Sequence, residues 1–154
     1  MPPLVVSNPQ SLKELVGQEI GVTEWFPVTQ ERIALFAEAT EDRQWIHLNQ
    51  ARACEESPYG ATIAHGFLTL SLLSHFLKAA IQIQNGVRLA VNYGLNRVRF
   101  PAAVRAESRI RARVALLSLK ELSDSVEATY GVTIECDQFE KPACVAEWIV
   151  RYYS

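Results

Sequence analysis

The feature that most constrains the fold is a nearly uncharged stretch between Gly66 and Gln84, in which Lys78 is the only lysine, arginine or acidic residue. Its apolar residues populate nearly every side of a helix: Leu68, Leu70, Leu72, Leu73, Phe76, Leu77 and Ile81. A helix that is apolar on most sides has to be enclosed by other elements rather than laid on a surface. We therefore predict a helix over about 67–83 at the centre of the fold.

The second half of the chain has the pattern of strands with one buried face. Apolar residues occupy the even-numbered positions over 110–116, 126–136 and 144–152. Side chains two residues apart share one face of a strand, so this alternation predicts three half-buried strands. A fourth strand, from about Val87, keeps apolar residues at odd positions up to Leu95 and at even positions from Val98 to Phe100, which predicts a bulge over 94–97.

The first third of the chain is predicted to contribute a short helix over 12–16, a strand over 19–28 and a helix capped by Thr29. A further short helix is expected to follow Asn49 and to end before Ser57-Pro58. The length of 154 residues suits one domain with one core. An α+β domain in which a curled antiparallel sheet wraps a long central helix, the hot-dog arrangement, satisfies this order. We expect one such domain over residues 1–154.

Composition argues against several classes of function. The net charge of −2 provides no electrostatic attraction to nucleic acid. No apolar run is long enough to cross a bilayer, and the N-terminus lacks a signal-peptide pattern, so we expect a cytoplasmic protein without a membrane partner. Cys54, Cys136 and Cys144 have neither disulfide nor zinc spacing, and we expect them to be reduced. No acidic cluster at ligand spacing accompanies the three histidines, so we predict no metal and no cofactor.

An acid, an imidazole and a glycine mark the most informative motif. Asp42 and His47 lie close together in sequence, and Gly66 follows Ile63-Ala64-His65 at the start of the predicted central helix. A carboxylate and an imidazole can share the movement of one proton. A first-turn amide lacks a partner within its helix and lies at the positive end of the dipole, so it can stabilise an oxyanion. These residues together indicate an enzyme.

Residues 35–47, Ser57-Pro58-Tyr59-Gly60 and Ile63-Ala64-His65-Gly66 resemble the MaoC-like family of (R)-specific enoyl-CoA hydratases. The segment from Asp42 to His47 is similar to the nodulation protein N branch, and the likeness extends to 92–101 and 141–147. The resemblance implies that Asp42 and His47 add one water across the double bond of a trans-2-enoyl-CoA, giving the (R)-3-hydroxyacyl-CoA. It also implies that the Gly66 amide contacts the thioester oxygen.

Other residues are candidates for supporting roles. Ser74 matches a serine that orients the aspartate in some members of the resembling family. Arg97 and Arg99 are candidates for the CoA phosphates, because a guanidinium group can bind phosphate with two hydrogen bonds. Trp45 and Tyr59 either line the acyl pocket or pack as ordinary core or interface aromatics.

Two histidines and one acidic residue have other interpretations. We interpret His65 as a neutral residue hydrogen-bonded inside the fold and His75 as structural. Glu107 stands where the resembling family often has a turn glycine, so that turn is expected to differ in shape.

Two other functions compete with hydration. Hot-dog thioesterases commonly place an acid on or beside the central helix, and the residues between Gly66 and Gln84 include none. A non-catalytic acyl-CoA-binding dimer has no need for Asp42 and His47 together. A single curled sheet leaves an edge strand uncovered, which predicts a homodimer under any of these functions. Acyl chain length depends on a pocket whose packing the sequence does not specify.

Overall fold

Long antiparallel strands form the second half of the chain, as their alternation predicted. The computed structural model describes residues 2–154. In chain order the elements are β1 (Leu4–Val6), a 3-10 helix (Pro9–Leu15), β2 (Glu19–Val22), β3 (Phe26–Val28), α1 (Gln30–Thr40), α2 (Trp45–Leu48), α3 (Gln50–Glu56), α4 (Gly66–Ser71), α5 (Leu73–Ala80), β4 (Ile81–Ile83), β5 (Leu89–Arg99), β6 (Ser108–Glu121), β7 (Ser125–Cys136) and β8 (Phe139–Tyr153).

The main sheet has six strands and is antiparallel throughout. Its order is β2-β6-β7-β8-β5, and β3 pairs with β6 beyond the end of β2. A separate two-stranded parallel pair joins β1 and β4. This curled antiparallel sheet with helices against its inner face confirms the predicted α+β hot-dog fold.

The core lies between the inner face of the sheet and the two helices α4 and α5. Alternate residues of β6, β7 and β8 are buried, and Phe76, Leu73, Leu77 and Ala80 of α5 face them. Ile110, Leu116, Tyr130, Ile134 and Cys144 are among the fully buried side chains of this cluster. Removing this apolar surface from water contributes about 25 cal/mol for each Å² buried, which makes the helix and the sheet mutually dependent.

The prediction of one helix over about 67–83 is wrong in two respects: its last turn is a strand, and the rest is divided into two helices. The helix ends at Ala80, and Ile81–Ile83 forms β4, which pairs in parallel with β1 from Leu4 to Val6. Ile81 and Ile83 are β-branched and suit an extended strand once β1 is available as a partner. The helix is also divided at Leu72, whose amide donates to the carbonyl of Thr69, a contact that tightens the backbone between α4 and α5.

The predicted strand over 19–28 is wrong in its middle, where the chain leaves regular pairing between β2 and β3. Thr23 causes the interruption, because its side-chain oxygen accepts a hydrogen bond from the Ala112 amide at 2.9 Å and its own amide donates to the Ala112 carbonyl. The predicted helix over 12–16 is instead a 3-10 helix over Pro9–Leu15, capped by the side chain of Asn8.

The predicted bulge in β5 is confirmed. Its pairing with β8 shifts register between Asn92 and Gly94 and again between Leu95 and Val98. Because β5 lies at one edge of the sheet, the odd-numbered apolar side chains ahead of the bulge are exposed, at 38% for Leu89 and 57% for Tyr93.

The turn at Glu107 keeps a backbone conformation that favours glycine, although the residue is not glycine. Its φ is 70°, in the left-handed region that side chains other than glycine rarely adopt. The expectation that this turn differs in shape from that of the resembling family stays a prediction. The Glu107 carboxylate accepts a hydrogen bond from the Gln30 amide at 2.9 Å. This contact satisfies a first-turn donor of α1, which Thr29 also caps through the Arg32 amide. No helix among the described residues has the length and apolarity required to span a membrane.

The packing of α5 against the sheet gives a direct test of the fold. We expect Ile134→Ala to lower the free energy of unfolding by about 2–5 kcal/mol, because it opens a cavity at a fully buried position. Thr133→Ala, on the outward face of the same strand, is the matched control and is expected to cost less than about 1 kcal/mol. Urea unfolding measures both values, and equal losses in the two variants would contradict the assigned register.

Candidate active site

A left-handed residue at the end of α1 turns the chain into the loop that begins with Asp42. Glu41 has a φ of 63°, and the Asp42 carboxylate that follows it is exposed to solvent. Arg43 forms ion pairs with Glu41 and with Glu38, the latter at 2.9 Å between Nε and Oε1. The Arg43 guanidinium group is therefore paired with Glu38 and Glu41 rather than with the Asp42 carboxylate.

His47 lies on α2 and is buried. Its Nδ1 is 2.7 Å from the carbonyl oxygen of Ile63, and a carbonyl can only accept, so Nδ1 carries the hydrogen. In the neutral ring, Nε2 then has the lone pair that can take a proton. Burial lowers the pKa of His47 below its ordinary value, and His65 lowers it further, whereas the Ile63 hydrogen bond and Asp42 act in the opposite direction.

The short segment around Ile63 is fixed on two sides. The Ile63 amide donates to the Ile46 carbonyl at 3.1 Å, and the Ala64 amide donates to the Val104 carbonyl at 2.8 Å. Ile63 also forms an antiparallel bridge with Arg105. The carbonyl that orients His47 is thus held between α2 and the residues that precede β6.

Gln30 joins the same region from the start of α1. Its Nε2 donates to the His47 carbonyl at 2.7 Å, and its side-chain oxygen accepts a hydrogen bond from the Thr62 hydroxyl. Gln30 was not predicted from the sequence as a site residue. A glutamine in the first turn of a helix has no periodic or motif signal, and only the three-dimensional contacts identify it.

His65 lies against both members of the acid and imidazole pair. Its Nε2 is 2.9 Å from the backbone oxygen of Asp42, and its ring stacks on that of His47 with centroids 3.7 Å apart and planes 22° apart. The expected hydrogen bond inside the fold is present, and its partner belongs to the Asp42 loop. The location of His65 beside the predicted catalytic pair was missed, although its position before Gly66 was available as a signal.

Asp42, His47 and His65 are the one group of possible metal ligands found among the described residues, with candidate atoms within 4.8 Å of one another. An ion bound by both imidazoles would have to lie in the plane of each ring. Planes that are nearly parallel and stacked do not meet close to the ring nitrogens. The geometry is better suited to proton movement than to coordination, and the absence of a resident metal stays a prediction.

Gly66 begins α4 directly after His65 and lies under an aromatic ring. A Cβ at this position would be 3.2 Å from ring atoms of Phe100, so the close packing favours glycine. A cavity of about 350 Å³ lies beside it. Its lining is mainly apolar: Tyr59, Ile63, Ala64, Gly66, Thr69, Phe100, Pro101, Ala102, Ala103, Val104, Phe139 and Ala143.

Tyr59 is thus the one predicted substrate-binding residue in the lining of the cavity at Gly66. Trp45 lies in an open depression beside α2, where the Arg52 guanidinium carbon is 4.2 Å from its ring centroid. Arg97 and Arg99 line a third depression, on the sheet beside Gly131.

Ser74 does not line the cavity at Gly66. It lines cavities of about 430 Å³ and 300 Å³ together with Asn92 and Trp148. Asp42 and His47 are in the lining of none of these three cavities. Arg105, which was not predicted as a site residue, lies against the lining of the Gly66 cavity. Its guanidinium carbon is 5.4 Å from the Phe139 ring centroid, and its Nε is buried without a hydrogen-bond partner.

The lowered pKa of His47 makes stability depend on pH. Below the ordinary value of 6.5 the unfolded chain binds a proton that the folded chain still excludes, so the free energy of unfolding falls as the pH is lowered towards the folded-state pKa. We expect the wild type to lose more stability between about pH 7.5 and pH 5.5 than His47→Gln, which cannot titrate there. Urea unfolding at both pH values measures the difference, and parallel losses would contradict the assignment.

Comparisons with known proteins identify a family and related sequences. The family model described as "MaoC like domain" matches residues 11–136. The 3-hydroxyacyl-thioester dehydratase Z of Mycobacterium tuberculosis is 49% identical over 93% of this chain and 94% of its own length. Nodulation protein N of Rhizobium leguminosarum bv. viciae is 46% identical over 87% of this chain and 84% of its own length.

The fold is shared with solved structures at lower identity. An R-hydratase from Pseudomonas aeruginosa, solved without ligand, superposes with a TM-score of 0.72 at 22% identity, covering 96% of this chain and 86% of that one. Together, the family match over most of the chain and the two relatives above 40% identity show that this protein belongs to the MaoC-like family.

Proposed function

We propose that this protein hydrates trans-2-enoyl-CoA thioesters to (R)-3-hydroxyacyl-CoA and catalyses the reverse dehydration. Membership of the MaoC-like family supports hydro-lyase chemistry in general. The observation that carries the finer proposal is the pairing of Asp42 with a His47 ring whose Nδ1–H is committed to Ile63, which leaves Nε2 for the reacting water.

The chemistry requires one proton to leave water and one to reach carbon. His47 Nε2 takes a proton from the water as its oxygen bonds to C3, and the double bond electrons move towards C2 and the thioester oxygen. C2 then receives a proton from the Asp42 and His47 pair. Water is thereby added with no change of oxidation state, and the pair returns to its starting protonation.

Negative charge develops on the thioester oxygen during this step. The Gly66 amide, in the first turn of α4, has no helical partner and provides a donor for that oxygen. His65 directly precedes it, so the donor lies one residue from the ring that stacks on His47. The apolar cavity beside Gly66 suits an acyl chain next to a polarised carbonyl.

The substrate class is supported by the relatives. The M. tuberculosis relative is named as a dehydratase of 3-hydroxyacyl thioesters, and the P. aeruginosa structure is that of an R-hydratase. We extend the thioester substrate and the (R) stereochemistry to this chain on that basis. Arg97 and Arg99 remain candidates for the CoA phosphates, and Arg105 is a third because it lies beside the cavity at Gly66.

Isosteric substitutions test the proposed pair. Asp42→Asn and His47→Gln are each expected to lower kcat with crotonyl-CoA by about 10² to 10⁴-fold. His47→Gln removes the group that takes the proton from water, and Asp42→Asn removes the carboxylate that shares in delivering a proton to C2. Loss of enoyl absorbance measures the rate, circular dichroism checks folding, and Asp124→Asn in the β6–β7 turn is the control. Full activity in either active-site variant would refute the assigned role of that residue.

The same assay separates the competing functions. Release of free CoA without formation of a 3-hydroxyacyl product would indicate a thioesterase, although no acid lies on α4 or α5. Tight acyl-CoA binding with no turnover, unchanged in both variants, would indicate a non-catalytic binding protein. Chiral analysis of the product tests the (R) assignment.

We further propose that the protein is a homodimer formed through the edge strand β5. Val91 and Leu95 are exposed at 45% and 43% on an edge whose backbone has no further strand beside it in this chain. An exposed apolar edge of this kind favours pairing with a second copy.

We expect sedimentation to give a dimer for the wild type at micromolar concentration and a monomer for Val91→Lys, because a charge would then be buried in the interface. Leu35→Lys, which changes an apolar side chain that is 65% exposed on α1, is the matched control and should stay dimeric. A monomeric wild type would refute the proposed interface.

A further inference from the structure

His65 connects the three parts to which the proposed chemistry is assigned. Its Nε2–H donates to the backbone oxygen of Asp42 at 2.9 Å, its ring stacks on His47, and its own peptide group leads into Gly66. His65 thus contacts both the Asp42 backbone and the His47 ring. The ring is therefore placed to set the relative positions of the carboxylate, the imidazole and the amide.

The orientation of this ring is closely restricted. His65 is 3% exposed, and Phe36 packs near it with ring centroids 4.9 Å apart and planes 54° apart. The Asp42 oxygen can only accept a hydrogen bond, so Nε2 carries the hydrogen and, in the neutral ring, Nδ1 carries a lone pair. The tautomer of His65 is thereby specified by the loop that holds Asp42.

Packing alone does not explain a histidine at this position. Nδ1 of His65 is buried and has no hydrogen-bond partner, and an unsatisfied buried polar atom costs free energy. A phenylalanine would stack between His47 and Phe36 without that cost. What phenylalanine cannot supply is the N–H donor to Asp42, which points to a requirement for both the ring face and the donor.

We propose that His65 is a positioning residue of the hydration reaction, a proposal that rests on the proposed function. Its Nε2–H donates a hydrogen bond to the backbone oxygen of Asp42, and its ring stacks on the imidazole of His47. These two contacts orient the Asp42 carboxylate and His47 Nε2 towards the same water. The ring also covers one face of His47 and keeps solvent from it.

The groups that face His47 are few, which makes its titration a readout of this contact. The titratable side chains that act on its ring are Asp42 and His65, and the ring also contacts the neutral carbonyl of Ile63. The Gln30 side chain contacts the backbone carbonyl of His47 and not its ring. Removal of the His65 ring would expose His47 to water and move its proton affinity towards that of a solvated imidazole.

Two substitutions separate the donor from the ring. His65→Gln keeps an N–H donor near the position of Nε2 and removes the ring, whereas His65→Phe keeps the ring face and removes the donor. We expect kcat with crotonyl-CoA to fall by about 10-fold to 100-fold in each, with KM changed less than about threefold, because misplacement of the reacting groups affects the chemical step. In a plot of kcat against pH, the fall on the acidic side (the acid limb) should move to higher pH in His65→Gln and stay in place in His65→Phe.

His75→Gln is the matched control, since His75 also packs against aromatic rings, but against those of Phe26 and Phe76 rather than beside Asp42 and His47. It should keep kcat within about twofold. A merely structural His65 would lower stability and the active fraction without moving the acid limb, so an unmoved limb in His65→Gln would overturn the proposal. So would kcat within about twofold of wild type in both variants.

An NMR titration of the His47 ring distinguishes failure of this inference from failure of the proposed function. If the wild type does not hydrate any enoyl-CoA, the proposed function fails, and the titration still tests the contact. A higher pKa for His47 in His65→Gln than in the wild type would support the contact, and an identical titration would overturn it. If His65→Phe does not fold, the limb and the titration of His65→Gln decide the question.

Discussion

The hydrogen bond from His47 Nδ1 to the Ile63 carbonyl is the interaction on which the proposed site depends. It specifies the tautomer of the His47 ring and joins α2 to the segment that leads into Gly66. Without it the ring could rotate about its side-chain bonds, and the lone pair of Nε2 would no longer have one direction. The pairing of Ala64 with Val104 fixes the same segment from the other side.

The fold explains why this short segment is rigid. The apolar helices α4 and α5 are enclosed by the sheet, and α4 starts where the segment ends. The Glu107 carboxylate accepts a hydrogen bond from the backbone amide of Gln30 at the start of α1, and the Gln30 side chain contacts the His47 carbonyl, so the first turn of α1 is joined to α2. Burial of the helix core thus positions a small polar group at its N-terminal end, where an exposed carboxylate meets two buried imidazoles.

Sequence patterns predicted the parts of this structure that depend on local periodicity. The buried faces of β6, β7 and β8 follow from alternation, and the bulge in β5 follows from a change of parity. β4 was missed because its partner β1 lies more than 70 residues earlier in the sequence. The hydrophobic periodicity of a short segment does not show which distant segment it pairs with. The interruption between β2 and β3 at Thr23 depends on one side-chain contact to Ala112, and sequence periodicity could not predict it either.

The residues of the candidate site divide in the same way, into those that the sequence pattern identified and those that only the three-dimensional contacts identify. Asp42, His47 and Gly66 were selected by residue type and spacing, whereas the roles of His65 and Gln30 required the contacts themselves. Trp45, Ser74, Arg97 and Arg99 lie away from the cavity at Gly66 in a single chain, since a linear motif does not specify which face of an element meets the substrate.

A crystal structure of the His47→Gln variant with bound crotonyl-CoA tests the central claim most directly. The account predicts the thioester oxygen within hydrogen-bond distance of the Gly66 amide, and C3 facing the Asp42 carboxylate and residue 47. An acyl group bound in the cavity beside Ser74 and Trp148, with its thioester remote from Gly66, would contradict it.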